Sequence, residues 1–327
     1  MNQRMLGRTG LAVSEVSMGG AFITAERAQG IAAVRYAFQE AGLNYVDTAA
    51  GYGNSEEVLG EALEGVTADY FLSTKLGARP QPFDPRDKAA LRASVEESLR
   101  LLKRDHIEIL MIHEPDRPEQ YDWWTDWDHF YGPVTELLAE LKQEGVIRFT
   151  GLGGTTPYIM PNIMDTGEYD VVLTAFNYSM LWQEARWEVF PAAKRNNMGL
   201  IVGSPLQQGW LSRRFDEEIN HGAPWLSLPR RRQFQALYAL VDEIGMPLPE
   251  LAQRFVLSNP EISTMLIGAR SVEEVKLGVA AAEKGPLPTE LLDRVQEIAD
   301  MVPFRPFEEP FGCQLGRPEY RGPGMAC

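Results

Sequence analysis

Apolar residues along the chain follow two alternating rhythms. Short runs rich in β-branched and other apolar residues are each followed by a longer stretch whose apolar positions recur every three or four residues. "VSEVSMGG" (13–20) precedes "ERAQGIAAVRYAFQEAG" (26–42), where Ile31, Val34, Ala37 and Phe38 stand at helical spacing. "YVDTA" (45–49) precedes "SEEVLGEALEG" (55–65), and "YFLSTKLG" (70–77) precedes "DKAALRASVEESLRLLK" (87–103). "IEILMIHEP" (107–115) leads through a long connection to "GPVTELLAELKQEG" (132–145). "IRFTGLGG" (147–154), "VVLTAFNY" (171–178), "LIVGSPL" (200–206) and "STMLIGA" (263–269) repeat the pattern, each with helical sequence after it. A last amphipathic helix is expected at 288–300, before a Pro-rich tail.

Strands alternating with helices imply crossover connections and a parallel sheet. The strand runs are apolar nearly throughout, as strands covered by helices on the outside should be. Eight such units, with no composition break that reads as a linker, predict an α/β chain folded as a single (β/α)8 barrel domain over 1–327. An open doubly wound sheet is the alternative. Composition then narrows the function. A net charge of −15 argues against nucleic acid or an anionic membrane surface as partner. No apolar run reaches the length of a membrane span, and "MNQRMLGRTG" does not read as a signal peptide, so a cytoplasmic protein is expected. The two cysteines, Cys313 and Cys327, lie late in the chain without metal-ligand spacing. No metal is expected, and whether they pair stays open.

In a barrel of this kind the chemistry belongs where strands end and loops to the next helix begin. The second predicted strand ends on Asp47, with Tyr52 in the loop beyond. The third carries Lys75 and the fourth His113. Charged groups in apolar runs cost free energy unless paired. On consecutive strands, near one rim, they can pair with each other. Lys75 beside Tyr52 is expected to lower the phenol's pKa, Asp47 to hold the lysine charged, and His113 to stay neutral and share in proton transfer. Taken singly, each has a plain structural use: a loop aromatic, a rim ion pair, a satisfied histidine.

The segments that carry these residues resemble the aldo-keto reductases. "NYVDTAAGYGNSEEVLGEAL" resembles that family's Asp-Thr-Ala-x-x-Tyr-Gly segment, and "STK" and "MIHEPD" its lysine and histidine segments. "LGRTGLAVSEVSMGG" resembles its N-terminal β-hairpin and first strand. The resemblance implies hydride transfer between a nicotinamide cofactor and a carbonyl or alcohol carbon. It makes Asp47, Tyr52, Lys75 and His113 the catalytic set and Tyr52 the proton donor in reduction. It also implies a C-terminal extension, about 301–327, closing over the barrel mouth.

Further positions follow from the resemblance. Gly153 and Gly154 stand where the family usually has Ser-Asn at the nicotinamide carboxamide, with Thr155 and Thr156 next. Ala175 replaces a glutamine, with Asn177 nearby, and Gly203 replaces a stacking aromatic. These departures resemble a branch of sugar 1-dehydrogenases and pyridoxal dehydrogenase. Ser204, Leu206, Gln208, Ile267, Gly268, Arg270, Ser271 and Glu274 are the candidates for the dinucleotide phosphates and adenosine. Arg270 favours NADP, whereas Glu274 would repel a 2′-phosphate and favours NAD. The resemblance tips the expectation to NADP, with NAD almost level. Phe22, Trp123, Trp124 and Trp127 are candidate pocket walls for a small carbonyl compound or sugar, though the tryptophans would equally make a loop-anchoring cluster or a subunit contact. Three functional readings stand: a reductase or dehydrogenase, a NAD-dependent lactol 1-dehydrogenase, or a regulatory subunit resembling potassium-channel β subunits. A monomer and a homo-oligomer both remain open.

Overall fold

The structure, a computed structural model, describes residues 1–224 and 226–303. Eight parallel strands close into a barrel. They are β3 (Val16–Gly19), β4 (Tyr45–Asp47), β5 (Phe71–Leu76), β6 (Ile107–His113), β7 (Ile147–Gly154), β8 (Val171–Ala175), β9 (Gly199–Gly203) and β10 (Thr264–Ile267), with β10 pairing back onto β3. Around them lie α1 (Arg27–Gln39), α2 (Ser55–Leu63), α3 (Lys88–Leu102), α4 (Pro133–Gln143), α5 (Met160–Met164), α6 (Val189–Arg195), α7 (Asp216–His221), α8 (Leu228–Ile244), α9 (Leu248–Leu257), α10 (Val272–Glu283) and α11 (Thr289–Ala299). The predicted (β/α)8 barrel is therefore observed. The open sheet is ruled out by the β10–β3 ladder, in which Met265 pairs with Val16 and Ile267 with Met18.

One end of the barrel is sealed. Strands β1 (Gln3–Met5) and β2 (Ala12–Ser14) form the expected antiparallel hairpin. Its Leu6, Leu11 and Val13 are buried with the inward residues Tyr45, Ile109, Met111, Val171, Leu173, Ile201 and Leu266. Gly199, at the start of β9, makes room for this plug, because a Cβ there would fall 2.6 Å from Leu6 Cδ1. Arg4 ties the hairpin down. It donates to the carbonyls of Leu257, Asn259 and Ile262 and pairs with Glu15 at 3.1 Å. Arg8 anchors it on the other side through Asp170 at 2.9 Å. That end is filled largely by aliphatic packing around a buried Ser17–Thr264 hydroxyl contact at 2.6 Å, and the charged inward side chains Asp47 and Lys75 lie toward the opposite end, where the strands finish.

Ser55 opens α2. Its hydroxyl donates to the Gly20 carbonyl at 2.7 Å, and the capping position belongs to Asn54, which makes no side-chain cap bond. Glu56, in the first turn of α2, is buried on Thr74 and Arg79. The segment after β7 yields only the short α5, with Pro161 in its first turn, where a missing N–H is tolerated. The region about 304–327, with Cys313, Cys327 and the expected lid over the mouth, lies outside the described residues. Among the described residues no helix is long and apolar enough to cross a membrane, and no cluster of His, Cys, Asp or Glu could hold a metal ion.

Candidate active site

Side chains alternate between barrel interior and helix layer along each strand, so residues two apart face the same way. Asp47 ends β4 facing inward, two positions after the inward Tyr45. Ser73 and Lys75 do the same on β5, and His113 follows the inward Ile109 and Met111 on β6. The register sets Asp47 beside Ser73 and Lys75 beside Met111. The result is one polar layer on top of an apolar one.

That layer is a connected hydrogen-bond chain. Tyr45 donates its hydroxyl to Ser73 Oγ at 2.6 Å, and Ser73 donates to Asp47 Oδ1 at 2.6 Å. Asp47 Oδ2 receives Lys75 Nζ at 2.5 Å, while the Thr48 carbonyl accepts from the same ammonium at 2.8 Å. The third direction of Lys75 Nζ reaches the Tyr52 hydroxyl at 3.3 Å. All three donor directions are thereby assigned. The ammonium also sits 4.8 Å from the Tyr52 ring centre. Burial works against the charge on Lys75, but the Asp47 carboxylate and the Tyr52 oxygen outweigh it and hold its pKa above the usual lysine range.

The His113 ring stands edge-on to Tyr52, with centres 5.6 Å apart. Burial, reinforced by the neighbouring Lys75 charge, pushes its pKa down to about 3, so the imidazole is neutral at physiological pH. Its Nδ1 is enclosed and has no hydrogen-bond partner among the described residues. Tyr52 departs from the expectation. Burial raises its pKa more than Lys75 lowers it, and Asp47 and Glu114 add to the rise. The phenol is thus held above its usual value and stays protonated through the neutral range.

Beside His113 lies a second polar group that sequence reasoning passed over. Glu114 and Asp116 follow β6 directly. Asp116, almost wholly buried, accepts from the Thr155 amide at 2.9 Å and from the Thr156 amide. Thr155 Oγ1 donates to Glu114 Oε2 at 2.6 Å, and Asn177 Nδ2 donates to the Thr155 carbonyl at 2.7 Å. Loop positions after β6, β7 and β8 are therefore laced together at the rim next to Tyr52 and His113.

The aldo/keto reductase family profile matches residues 16–300, and the four residues that carried the resemblance converge in space. The chain belongs to the aldo/keto reductase family. As an aldo-keto reductase it is an NAD(P)-dependent oxidoreductase acting on alcohol and carbonyl groups. It is 31% identical to L-galactose dehydrogenase of Arabidopsis thaliana, over 91% of this chain and 94% of that protein. It is 26% identical to pyridoxal 4-dehydrogenase of Microbacterium luteolum, over 86% and 93% of the two chains. Among solved structures it resembles the holo form of an aldo-keto reductase from Bacillus halodurans, with a TM-score of 0.75 and 29% identity over 91% of this chain and 96% of that one.

The structure separates the remaining candidates of this reductase into those that face the mouth and those that do not. Gly153 faces it: a Cβ there would lie 3.1 Å from Lys75 Cδ. Gly154 faces the opposite way, toward Asp116 Oδ1 and Met160, and Asn177 is used in holding Thr155. Ile267 turns its side chain out against Gly278, leaving only its backbone for a ligand. Phe22 packs across Gly268 at the end of β10. Trp123 and Trp124 are not pocket walls. Both are buried, and their indole N–H groups donate to the carbonyls of His113 at 2.9 Å and Pro115 at 3.0 Å. They form the loop-anchoring cluster with Phe83, Tyr121 and Phe130. Trp127 is exposed, with its ring edge on Phe130. Tyr121, missed in the sequence, has its ring centre 6.4 Å from that of His113.

The remaining candidates lie just beyond the ends of β9 and β10. Ser204, Gln207 and Gln208 all have left-handed backbones, φ 57°, 49° and 50°, which aims successive peptide groups in unusual directions. Gly203 ends β9 in close quarters, since a Cβ would come 3.3 Å from Leu173, so no aromatic ring is offered here for stacking. Ser271 caps the twelve-residue α10 by accepting from the Glu274 amide at 3.3 Å, placing a helix N-terminus where an anion is favoured.

Proposed function

We propose that this aldo-keto reductase is a NAD-dependent dehydrogenase that oxidises the C1 hydroxyl of a free sugar to the lactone level, with Tyr52 as the proton-transferring residue. The observation that carries the reading is the hydrogen-bond chain Ser73–Asp47–Lys75–Tyr52, which ends on a phenol beside a neutral imidazole. A bound nicotinamide supplies the hydride acceptor. The chain's own residues handle the proton. In oxidation the substrate hydroxyl proton passes to Tyr52 once the phenol is ionised, and Lys75 stabilises that phenolate. In reduction the same phenol, protonated at neutral pH, is the donor. His113, uncharged, orients the substrate oxygen by hydrogen bonding without competing as an acid.

The choice of sugar rests on the relatives. One is named L-galactose dehydrogenase, and another, 28% identical over 72% of this chain, is D-threo-aldose 1-dehydrogenase of a Pseudomonas species. The choice of NAD rests on Glu274 and differs from the leaning toward NADP. Its carboxylate accepts the Arg270 amide at 2.8 Å and the Arg270 guanidinium at 2.9 Å. The cation that a 2′-phosphate would seek already serves a carboxylate, which in turn can accept a ribose hydroxyl. Incubation with NAD⁺ and a panel of free aldoses, followed by NADH absorbance, tests the reading. Turnover of simple aldehydes with NADPH alone would replace it with a reductase role.

A further inference from the structure

Glu114 has an environment that the proton-transfer chemistry does not explain. It follows His113 directly, and its backbone has φ 50°, a left-handed conformation that is strained for a non-glycine residue. The loop holds it there: its amide donates to the Gly153 carbonyl at 2.7 Å, and its carbonyl receives the Arg117 amide at 3.2 Å. Its side chain is 12% exposed, at the mouth of the barrel. Oε2 receives the Thr155 hydroxyl at 2.6 Å, and Arg117 comes no closer than 3.8 Å. Among the described residues nothing donates to Oε1. A carboxyl this enclosed, beside Lys75 and Tyr52, has one oxygen satisfied and no donor among the described residues for the other.

We infer that Glu114 is a specificity-determining residue of the same site, its carboxylate accepting the substrate hydroxyl adjacent to the carbon that is oxidised. The inference rests on the dehydrogenase reading above. A neutral donor fits better than a cation, because Lys75 and Arg117 already place positive charge around the carboxyl. The charged and titratable groups facing Glu114 are Asp116 and Arg117 of its own loop, Lys75 of β5 and Tyr52 of the loop after β4. Burial, opposed by the Thr155 bond and aided by Asp116, pushes the Glu114 carboxyl up to about 7. A hydroxyl donor binds the ionised form best, so it lowers that value on binding. Affinity for a vicinal diol therefore strengthens as pH rises through about 7, and affinity for a substrate without the second hydroxyl does not.

The test compares a free aldose with its 2-deoxy analogue, both oxidised with NAD⁺ between pH 5.5 and 9. In the unaltered protein, kcat/KM should favour the aldose by about tenfold or more above pH 7, the size of one hydrogen bond to a charged group, and the preference should shrink below it. In Glu114→Gln the preference should fall and lose its pH dependence, with NADH titration showing that the cofactor still binds. Thr155→Val removes the donor that stabilises the ionised carboxyl, so the transition should move to higher pH. A preference unaffected by pH, or an equal loss on both substrates in Glu114→Gln, overturns the inference. If the unaltered protein binds NADH yet oxidises neither sugar, the dehydrogenase reading falls, and this inference with it.

Discussion

Breaking the Asp47–Lys75 pair exposes what the polar layer costs and what it does. The two side chains are 4% and 1% exposed, and their charged atoms are 2.5 Å apart. Lys75→Met leaves the Asp47 carboxylate buried with only Ser73 to receive. Asp47→Asn leaves the ammonium buried without a counter-charge. Removing one partner of such a pair costs about 3–5 kcal/mol, because the charge left behind is neither solvated nor paired. At roughly 1.5 °C per kcal/mol for a chain of 327 residues, each single change should lower the melting temperature by about 4–7 °C. The double variant, Asp47→Asn with Lys75→Met, strands no charge and should lose clearly less than the sum of the two singles. Thermal melts of the four proteins at pH 7 form the cycle. Losses below about 1 kcal/mol for both singles, or strict additivity in the double variant, would refute the buried-pair argument. Lys75→Met also removes the charge that restrains the Tyr52 pKa, so the alkaline rise of oxidation rate should shift to still higher pH.

Three further outcomes are expected. His113 has its proton affinity depressed in the fold, to about 3 against an ordinary value near 6.5, so its contribution to stability is complete above about pH 6.5 and fades as pH falls toward 3. Urea titrations of His113→Asn should therefore show a flatter acid limb, by up to about 1.4 kcal/mol per pH unit, and an unchanged limb would count against a buried neutral imidazole. Glu274→Gln frees Arg270, so calorimetric titration should show NADPH gaining about tenfold or more on NADH; an unchanged ratio would remove Glu274 from the cofactor choice. Gly132→Ala places a Cβ 2.3 Å from the Trp123 carbonyl, under the loop that supports His113. It should cost about 1–3 kcal/mol and reduce turnover, and a melt like that of the unaltered protein would show that the loop yields.

The barrel was legible because two periodicities alternate eight times and β-branched runs mark the strands. Asp47, Lys75 and His113 were legible because polar residues at the ends of apolar strands have few other uses, and the structure brings them together with Tyr52. Ser73 was within reach, since it stands two residues before Lys75 and shares its face. The sign of the Tyr52 shift was not, because it depends on how far burial outweighs one nearby cation, which spacing does not encode. Trp123 and Trp124 misled because aromatic content says nothing of direction, and the indole N–H groups point to carbonyls under the site. Glu114 gave no signal because a carboxylate after a strand usually means a solvated loop, and only its neighbours Gly153 and Thr155 reveal the enclosure.

In the proposed reaction Tyr52, set by Lys75 and Asp47, moves the proton while NAD⁺ takes the hydride from a sugar. The most direct measurement is NADH formation from NAD⁺ and a free aldose by the unaltered protein and by Tyr52→Phe, with NADH binding titrated for both. Sugar-dependent NADH formation is expected from the first and a loss of about 10²–10⁴-fold in kcat from the second, with cofactor affinity retained. Equal turnover by the two proteins would contradict it.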